Sequence, residues 1–184
     1  TSFDLDVDGK GFTLANLSTK VNGNIFAINY NNYNYQDIEV IGRLGNNVFN
    51  GLLNSNDENF KFKFNGLADL SLDIKSFDFT ADVEYANLKA LNFVKKDSIS
   101  IFKGQVDMSM KGSGIDDTFG TLNFKNTTYI NENDTYYFED FDIKSTFVDD
   151  KRIIDINSPD IIEGTISGVF KFKDIGKLVD KRQH

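Results

Sequence analysis

Paired acidic residues are the side chains of this sequence that come nearest to catalytic chemistry. Two facing carboxyl groups can hydrolyse a glycoside, one as the acid and the other as a base or nucleophile. Acids that alternate with Phe, Val or Tyr are, however, typical of the solvated face of a strand, and we therefore favour a structural role for them. The pairs considered are Asp82 and Glu84, Asp116 and Asp117, and Glu139 and Asp140.

Other catalytic and metal-binding chemistry has little raw material in this chain. The single histidine is His184 and there is no cysteine, which excludes a triad of the usual kind. The segment Asp4–Gly9 resembles the opening of a calcium-binding loop, but the position that should carry the bidentate Glu is Ala15. We therefore expect no enzyme activity, no metal site and no cofactor.

The charge balance argues against nucleic acid as a partner. The 20 Lys and Arg residues are outnumbered by 28 Asp and Glu residues, which gives a net charge of −8 and a pI near 4.6. An extended phosphate-binding surface needs clustered basic residues, whereas these are scattered along the chain.

Length and termini predict one segment of a longer, repetitive β protein. The 184 residues suit one continuous unit, and we expect no internal boundary within residues 1–184. The opening Thr1–Asp4 is neither an initiator Met nor a signal peptide, so we expect further chain upstream. No apolar run approaches the roughly 20 residues that a membrane-spanning helix needs.

Alternation of apolar and polar residues dominates the sequence and positions the residues discussed above. The cleanest run is Phe60–Phe64, in which Phe alternates with Lys. Such alternation predicts strands with one apolar and one wet face. Turn signals separate the runs at Asp8–Gly11, Asn22–Asn24, Gly45–Asn47, Asn54–Asp57 and Asn131–Asp134. The prediction is an all-β fold with about a dozen strands in a large antiparallel sheet.

Two short helices are expected as exceptions to this pattern. In residues 86–94, Leu88 and Leu91 are three positions apart, which suits a turn or two of helix. In residues 174–181, Ile175 and Leu178 share one side and Asp174 can cap the start.

The apolar face of the predicted sheet carries the functional prediction. Phe residues are aligned on successive strands and few bulky residues are placed to cap the ends, so we expect a curved, half-open trough and not a sealed sandwich. Such a face would offset the roughly 0.8 kcal/mol per methylene of bringing a lipid tail through water. The residues expected to face lipid are Phe60, Phe62, Phe64, Leu70, Leu72, Phe77, Phe79, Val83, Ile99, Ile101, Val106, Met108, Phe170 and Phe172.

The main alternative is a secreted or surface β-sandwich that binds glycan or protein. The Asn- and Tyr-rich stretch Asn29–Tyr35 offers three tyrosines on which sugars could stack. The same stretch also suits a wet hairpin edge with cross-strand aromatic pairs, which we favour. An enzyme that uses paired acids ranks third.

Several landmarks, in a fixed order, resemble a segment of the TamB-type translocation and assembly module proteins, members of the AsmA-like, bridge-like lipid transfer group. Phe64–Ser71 resembles a strand that opens after Gly, and Ala86–Phe93 resembles the short helix of that family. Gly114–Phe124 resembles its Asp-Asp turn and following strand. Ile156–Gly164 and Gly168–Asp174 resemble the strands and helix that close the repeated unit.

The resemblance implies a taco-like curved sheet and a place in the envelope of a double-membrane bacterium. The whole protein would be anchored in the inner membrane upstream of this segment and would cross the periplasm. Its implied roles are phospholipid transport to the outer membrane and assembly of outer-membrane proteins. Its implied partners are phospholipid acyl chains and an outer-membrane barrel protein, the latter contacted by regions outside this fragment.

Overall fold

Antiparallel strands, each paired with its neighbours in the sequence, build this chain. The computed structural model describes residues 2–10, 18–114 and 116–171, with side chains described from residue 19 onward. The strands form one open sheet whose spatial order is the chain order, which confirms the all-β antiparallel prediction. They are β1 (Ser2–Lys10), β2 (Ser18–Tyr30), β3 (Tyr33–Gly45), β4 (Val48–Asn56), β5 (Phe60–Asp69), β6 (Lys75–Asn87), β7 (Ser100–Gly112), β8 (Phe119–Asn131), β9 (Thr135–Val148), β10 (Lys151–Ser158) and β11 (Ile162–Gly168).

Three hairpins are closed by two-residue Asn-Asn or Asp-Asp turns. All six turn residues have φ between 47° and 61°, the left-handed region that type I′ turns require. Asn and Asp tolerate this region better than other residues with a side chain. The predicted corners at Gly45–Asn47 and Asn131–Asp134 are confirmed. Those at Asn22–Asn24 and Asn54–Asp57 are wrong or displaced, since the first lies inside β2 and β4 continues to Asn56. Asp8–Lys10 lie inside β1, and Gly11 lies outside the described residues. The turn pairs are Asn31 and Asn32, Asn46 and Asn47, and Asp149 and Asp150.

Bulges interrupt the alternation at several points of the sheet. Asn126 in β8 has φ of 47°, and the register between β7 and β8 shifts beside it, between Lys103 and Gln105. The register also shifts between β5 and β6 at Lys61 and Phe62. An extra residue changes which side the following side chains take, so a simple alternation read from the sequence fails across a bulge.

The prediction of a helix in residues 86–94 is wrong. β6 continues to Asn87, and one hydrogen-bonded turn follows it. The amides of Asn92 and Phe93 donate to the carbonyls of Lys89 and Leu88 at 3.1 and 2.9 Å, and Asn92 has φ of 62°. This is a Schellman motif, which ends a helix, and it closes this one after a single turn. The second expected helix, residues 174–181, lies outside the described residues.

The core lies on one side of the sheet. Sustained contacts join each strand only to its neighbours in the sheet, so no second layer covers either face in the described part of the chain. One cluster of buried residues runs from β2 to the loop after β6 and includes Val21, Val40, Val83 and Leu91. Half-buried Phe, Leu and Val side chains pack around it.

Candidate functional site

Strand register places apolar residues in continuous rows across one side of the sheet, which we call the apolar face. Opposite residues in a sheet point to the same side, so pairing partners define each row. The first row joins Val40, Leu53, Phe64, Ala81, Val106, Phe124 and Phe141 from β3 to β9. A second row beside it joins Gly42, Gly51, Gly66, Phe79, Met108, Leu122, Ile143 and Ile156 from β3 to β10.

The opposite side of the sheet is polar. Its row beside the first apolar row joins Glu39, Asn54, Lys63, Asp82, Gln105, Lys125 and Asp140. This alternation of basic and acidic neighbours supports pairing without strong like-charge contact. The two sides therefore have different chemistry, as the sequence alternation predicts.

The structure brings eight of the fourteen predicted lipid-facing residues together on the apolar face and places four elsewhere. Leu70 and Leu72 lie in the loop after β5, 47% and 69% exposed, and Ile99 lies in the loop before β7. Ile101 pairs with Ile130 on the polar side, because the inward residues of β7 begin at Phe102. The eight are Phe60, Phe62, Phe64, Phe77, Phe79, Val83, Val106 and Met108.

The last two predicted residues lie beyond the final strand. Phe170 follows β11 and is half-buried, with its ring close to Gly168. Phe172 lies outside the described residues.

One end of the apolar face is covered by the loop between β6 and β7, Leu88–Ile99, which we call the β6–β7 loop. Leu91 is fully buried and belongs to the core cluster. The Asn31 Nδ2 donates to the Leu91 carbonyl, and the Asn92 Nδ2 donates to the Asn31 carbonyl, both at 3.0 Å. The expectation that few bulky residues cap the ends is wrong here, because Leu91 caps this one.

A buried carboxylate supports the same end of the sheet. Asp57 is 2% exposed and accepts hydrogen bonds from the Tyr33 hydroxyl at 2.6 Å, the Gln36 amide at 2.9 Å and the Asn59 amide at 2.8 Å. Burial and the contact with Asp57 raise the pKa of Tyr33 to about 12. Tyr33 and Tyr35 stack edge to face at 4.8 Å within the core region, an arrangement that packs these rings against each other.

An open pocket lined by aromatic side chains lies on the apolar face between β7 and β9. We call it the aromatic pocket; its volume is about 430 Å³. Neighbouring rings are 5.5 to 6.3 Å apart between centroids, and no polar surface lines the pocket. The size falls within the usual range of small-molecule sites, about 300–1,000 Å³. Its lining residues are Phe102, Phe124, Tyr129, Tyr136, Phe138, Phe141 and Ile161.

Sequence reasoning missed the aromatic pocket because bulges hide its alternation. Phe124 and Tyr129 lie on the same face although five positions separate them, since the bulge at Asn126 reverses the parity between them. In β9, Phe138 and Phe141 also lie on the same face, although three positions separate them. The available signal was the density of aromatic residues in residues 119–147, which periodicity alone does not resolve.

Of the acids considered for catalysis, Asp82 and Asp140 lie in the polar row, on the side of the sheet opposite the aromatic pocket. Other carboxylates of the chain, Asp107 among them, are held in hydrogen bonds within the sheet or its turns. Burial opposes ionisation of Asp107, yet hydrogen bonds from Thr80, Lys125 and Gln105 outweigh it and hold its pKa below the ordinary value. Asp117 accepts hydrogen bonds from Ser113 and the Gly114 amide in the turn after β7, and these hold its pKa low. Residues 19–114 and 116–171 contain no group of His, Cys, Asp and Glu that could hold a metal ion.

Comparisons with known proteins give no relative for this chain. No protein-family model matches it, and neither the curated proteins nor the solved structures contain a match. The resemblance to TamB-type proteins therefore stays a prediction. Within the described ranges, no helix is long and apolar enough to cross a membrane.

Proposed function

We propose that this chain is a non-catalytic lipid-binding segment of a longer envelope protein. The observation that carries the proposal is the apolar row from Val40 to Phe141, which crosses seven strands without a second layer over it. At about 4.8 Å per strand, this row is roughly 29 Å long. Val40 and Ala81 are buried in the core, whereas Val106, Phe124 and Phe141 are half-buried, so the part of the row toward β9 is the part that suits an acyl chain.

Curvature toward the apolar face is part of the proposal, since a half-open trough would enclose more of a lipid tail than a flat sheet. Close backbone approaches support it. An ideal Cβ on Gly51 would lie 2.5 Å from the Gly42 Cα, and one on Gly66 would lie 2.5 Å from the Phe79 Cβ. Both glycines belong to the second apolar row, and the missing side chains would leave room for the strands to curve toward that side.

The aromatic pocket is the proposed place of tightest contact with an acyl chain. Its rings are half-buried or exposed and none is sealed, whereas Leu91 and its neighbours fill the other part of the face. Each methylene moved from water to such a surface contributes about 0.8 kcal/mol, so a dozen methylenes would contribute on the order of 10 kcal/mol before ordering costs.

The cellular setting follows the sequence resemblance. In that setting the segment lies in the periplasm, within a protein anchored in the inner membrane of a double-membrane bacterium. It would help to move phospholipid to the outer membrane or to assemble outer-membrane proteins. An outer-membrane barrel protein would be contacted by regions outside this chain.

Extraction of the purified chain followed by lipid mass spectrometry tests the proposal. We expect co-purified phospholipid in the wild type and a several-fold lower amount in Phe124→Asp, because a charge in the pocket disfavours an alkyl chain. Thr121→Asp is the matched control, since its side chain lies on the polar side of the same strand, beside Lys144. Equal lipid in both variants, or none in the wild type, would contradict the proposal.

A further inference from the structure

The β6–β7 loop is basic in an acidic protein. It contains Lys89, Lys95 and Lys96 against Asp97, so its formal charge is 3 − 1 = +2, while the whole chain carries −8. Lys95 and Lys96 are exposed, and Phe93 beside them is 55% exposed. An exposed aromatic ring next to exposed lysines is the combination that favours the interface of an anionic bilayer.

The backbone holds these residues in place. The Schellman motif ends at Phe93, and the two hydrogen bonds with Asn31 hold Leu91 and Asn92 against the turn after β2. The Lys89 Nζ donates to the Lys95 carbonyl at 2.7 Å, which closes the loop on itself. Because the loop is already ordered, little conformational entropy is lost when it contacts a surface.

Two acids at the Asp97–Ile99 end of the loop are engaged in hydrogen bonds. Asp97 accepts a hydrogen bond from the Tyr129 hydroxyl at 3.3 Å. Glu132 accepts from the amides of Ser98 and Ile99 at 3.1 and 3.4 Å. Counting Glu132 with the loop still leaves a charge of 2 − 1 = +1. Lys95 and Lys96 remain exposed and can therefore meet negative charge.

The loop also borders both parts of the apolar face. Leu91 is its buried contact with the core cluster, and Tyr129, which bonds Asp97, lines the aromatic pocket. A bilayer that contacts Phe93 would thus lie close to the rim of the pocket. The bilayer, as the source of lipid, would then lie beside the aromatic pocket that accepts the acyl chain.

We propose that the β6–β7 loop docks this chain on a bilayer that contains anionic phospholipid, with Phe93 at the interface and Lys95 and Lys96 at the lipid phosphates. The inference rests on the proposed function for its purpose, because docking at this end presents the aromatic pocket to lipid. The binding itself depends only on the loop.

Vesicle flotation of the full chain tests the docking. The probes are phosphatidylcholine vesicles with about 30% phosphatidylglycerol and vesicles of phosphatidylcholine alone, at low ionic strength. The double variant Lys95→Gln, Lys96→Gln should partition about thirtyfold more weakly to the anionic vesicles, and Phe93→Ala about tenfold more weakly. The matched control is Lys75→Gln, Lys111→Gln, which removes the same charge from exposed residues at the opposite end of the strands. Circular dichroism checks that each variant keeps its sheet.

The outcomes separate this inference from the lipid-binding proposal. Loss of flotation in the loop variants alone supports docking, whether or not lipid co-purifies with the chain. Equal loss in the control, or no preference of the wild type for anionic vesicles, overturns docking. If flotation follows the loop but no lipid is extracted from purified protein, the lipid-binding proposal fails while docking stands.

Discussion

Truncation of Leu91 and of Phe138 to alanine should have very different effects on stability, because one side chain is sealed in the core and the other lines an open pocket. Leu91 is fully buried in the cluster that joins β2, β3 and β6, whereas Phe138 is half-buried at the pocket. Removing a buried Leu side chain costs about 3 kcal/mol, through lost transfer energy and the cavity left behind. Removing a partly solvated side chain costs about 1 kcal/mol.

Urea denaturation followed by circular dichroism measures both changes. We expect Leu91→Ala to lower the unfolding midpoint clearly with an unchanged slope, and Phe138→Ala to shift it slightly. Lipid binding should show the reverse order, with the larger loss in Phe138→Ala. Equal destabilisation by the two substitutions would refute the division of the apolar face into a filled part and an open part.

Three further predictions concern the contact of Tyr33 with Asp57, the carboxylate of Asp107 and the glycines of the sheet. In an alkaline titration of tyrosinate absorbance, Tyr33 should ionise near pH 12. Asp57→Asn should lower the pKa of Tyr33, because the contact with the Asp57 carboxylate is lost while the burial of Tyr33 remains. Since the folded pKa of Tyr33 is raised above the ordinary value of about 10, stability should decline as pH rises from 10 through 12, and Tyr33→Phe should remove that part of the decline. Asp107→Asn should destabilise by about 1 kcal/mol at neutral pH, measured by urea denaturation, because this carboxylate bonds Thr80 and Lys125. The depressed pKa of Asp107 makes its contribution present above about pH 4 and lost as pH falls through the folded value, so wild type and variant should converge in acid. Gly51→Val should lower the thermal midpoint strongly, because its Cβ would meet the Gly42 backbone, whereas Gly164→Val, where nothing lies within 4 Å, should change it little.

Simple alternation predicted the fold class and much of the apolar face. In β5 and β6, polar residues separate Phe60, Phe62, Phe64, Phe77 and Phe79, and the register places all five rings on one side. Of the three paired turns, Asn46 and Asn47 lie in a predicted corner, and the tolerance of Asn for positive φ explains their place there. Local pattern and final structure agree wherever strands are regular, because side-chain direction then depends on position alone.

The rest of the site depends on contacts that are distant in the sequence. The three-residue spacing of Leu88 and Leu91 indicated a helix. In the structure these residues belong to a single turn, which a Schellman motif ends and which is hydrogen-bonded to Asn31. Ile99 and Ile101 continue an alternation in the sequence, but the inward side of β7 starts at Phe102. Bulges such as the one at Asn126 arise from pairing between strands, so no single strand's sequence reveals them.

Site-specific photo-crosslinking within β8 tests the openness of the apolar face most directly. A photoreactive phenylalanine analogue replaces Phe124 in one variant and Lys125 in another, so that the probes point to opposite sides of the same strand. If the face is open to lipid, the probe at Phe124 should crosslink phospholipid and the probe at Lys125 should not. Crosslinking only to protein from the Phe124 position, or equal lipid crosslinking from both, would contradict the account.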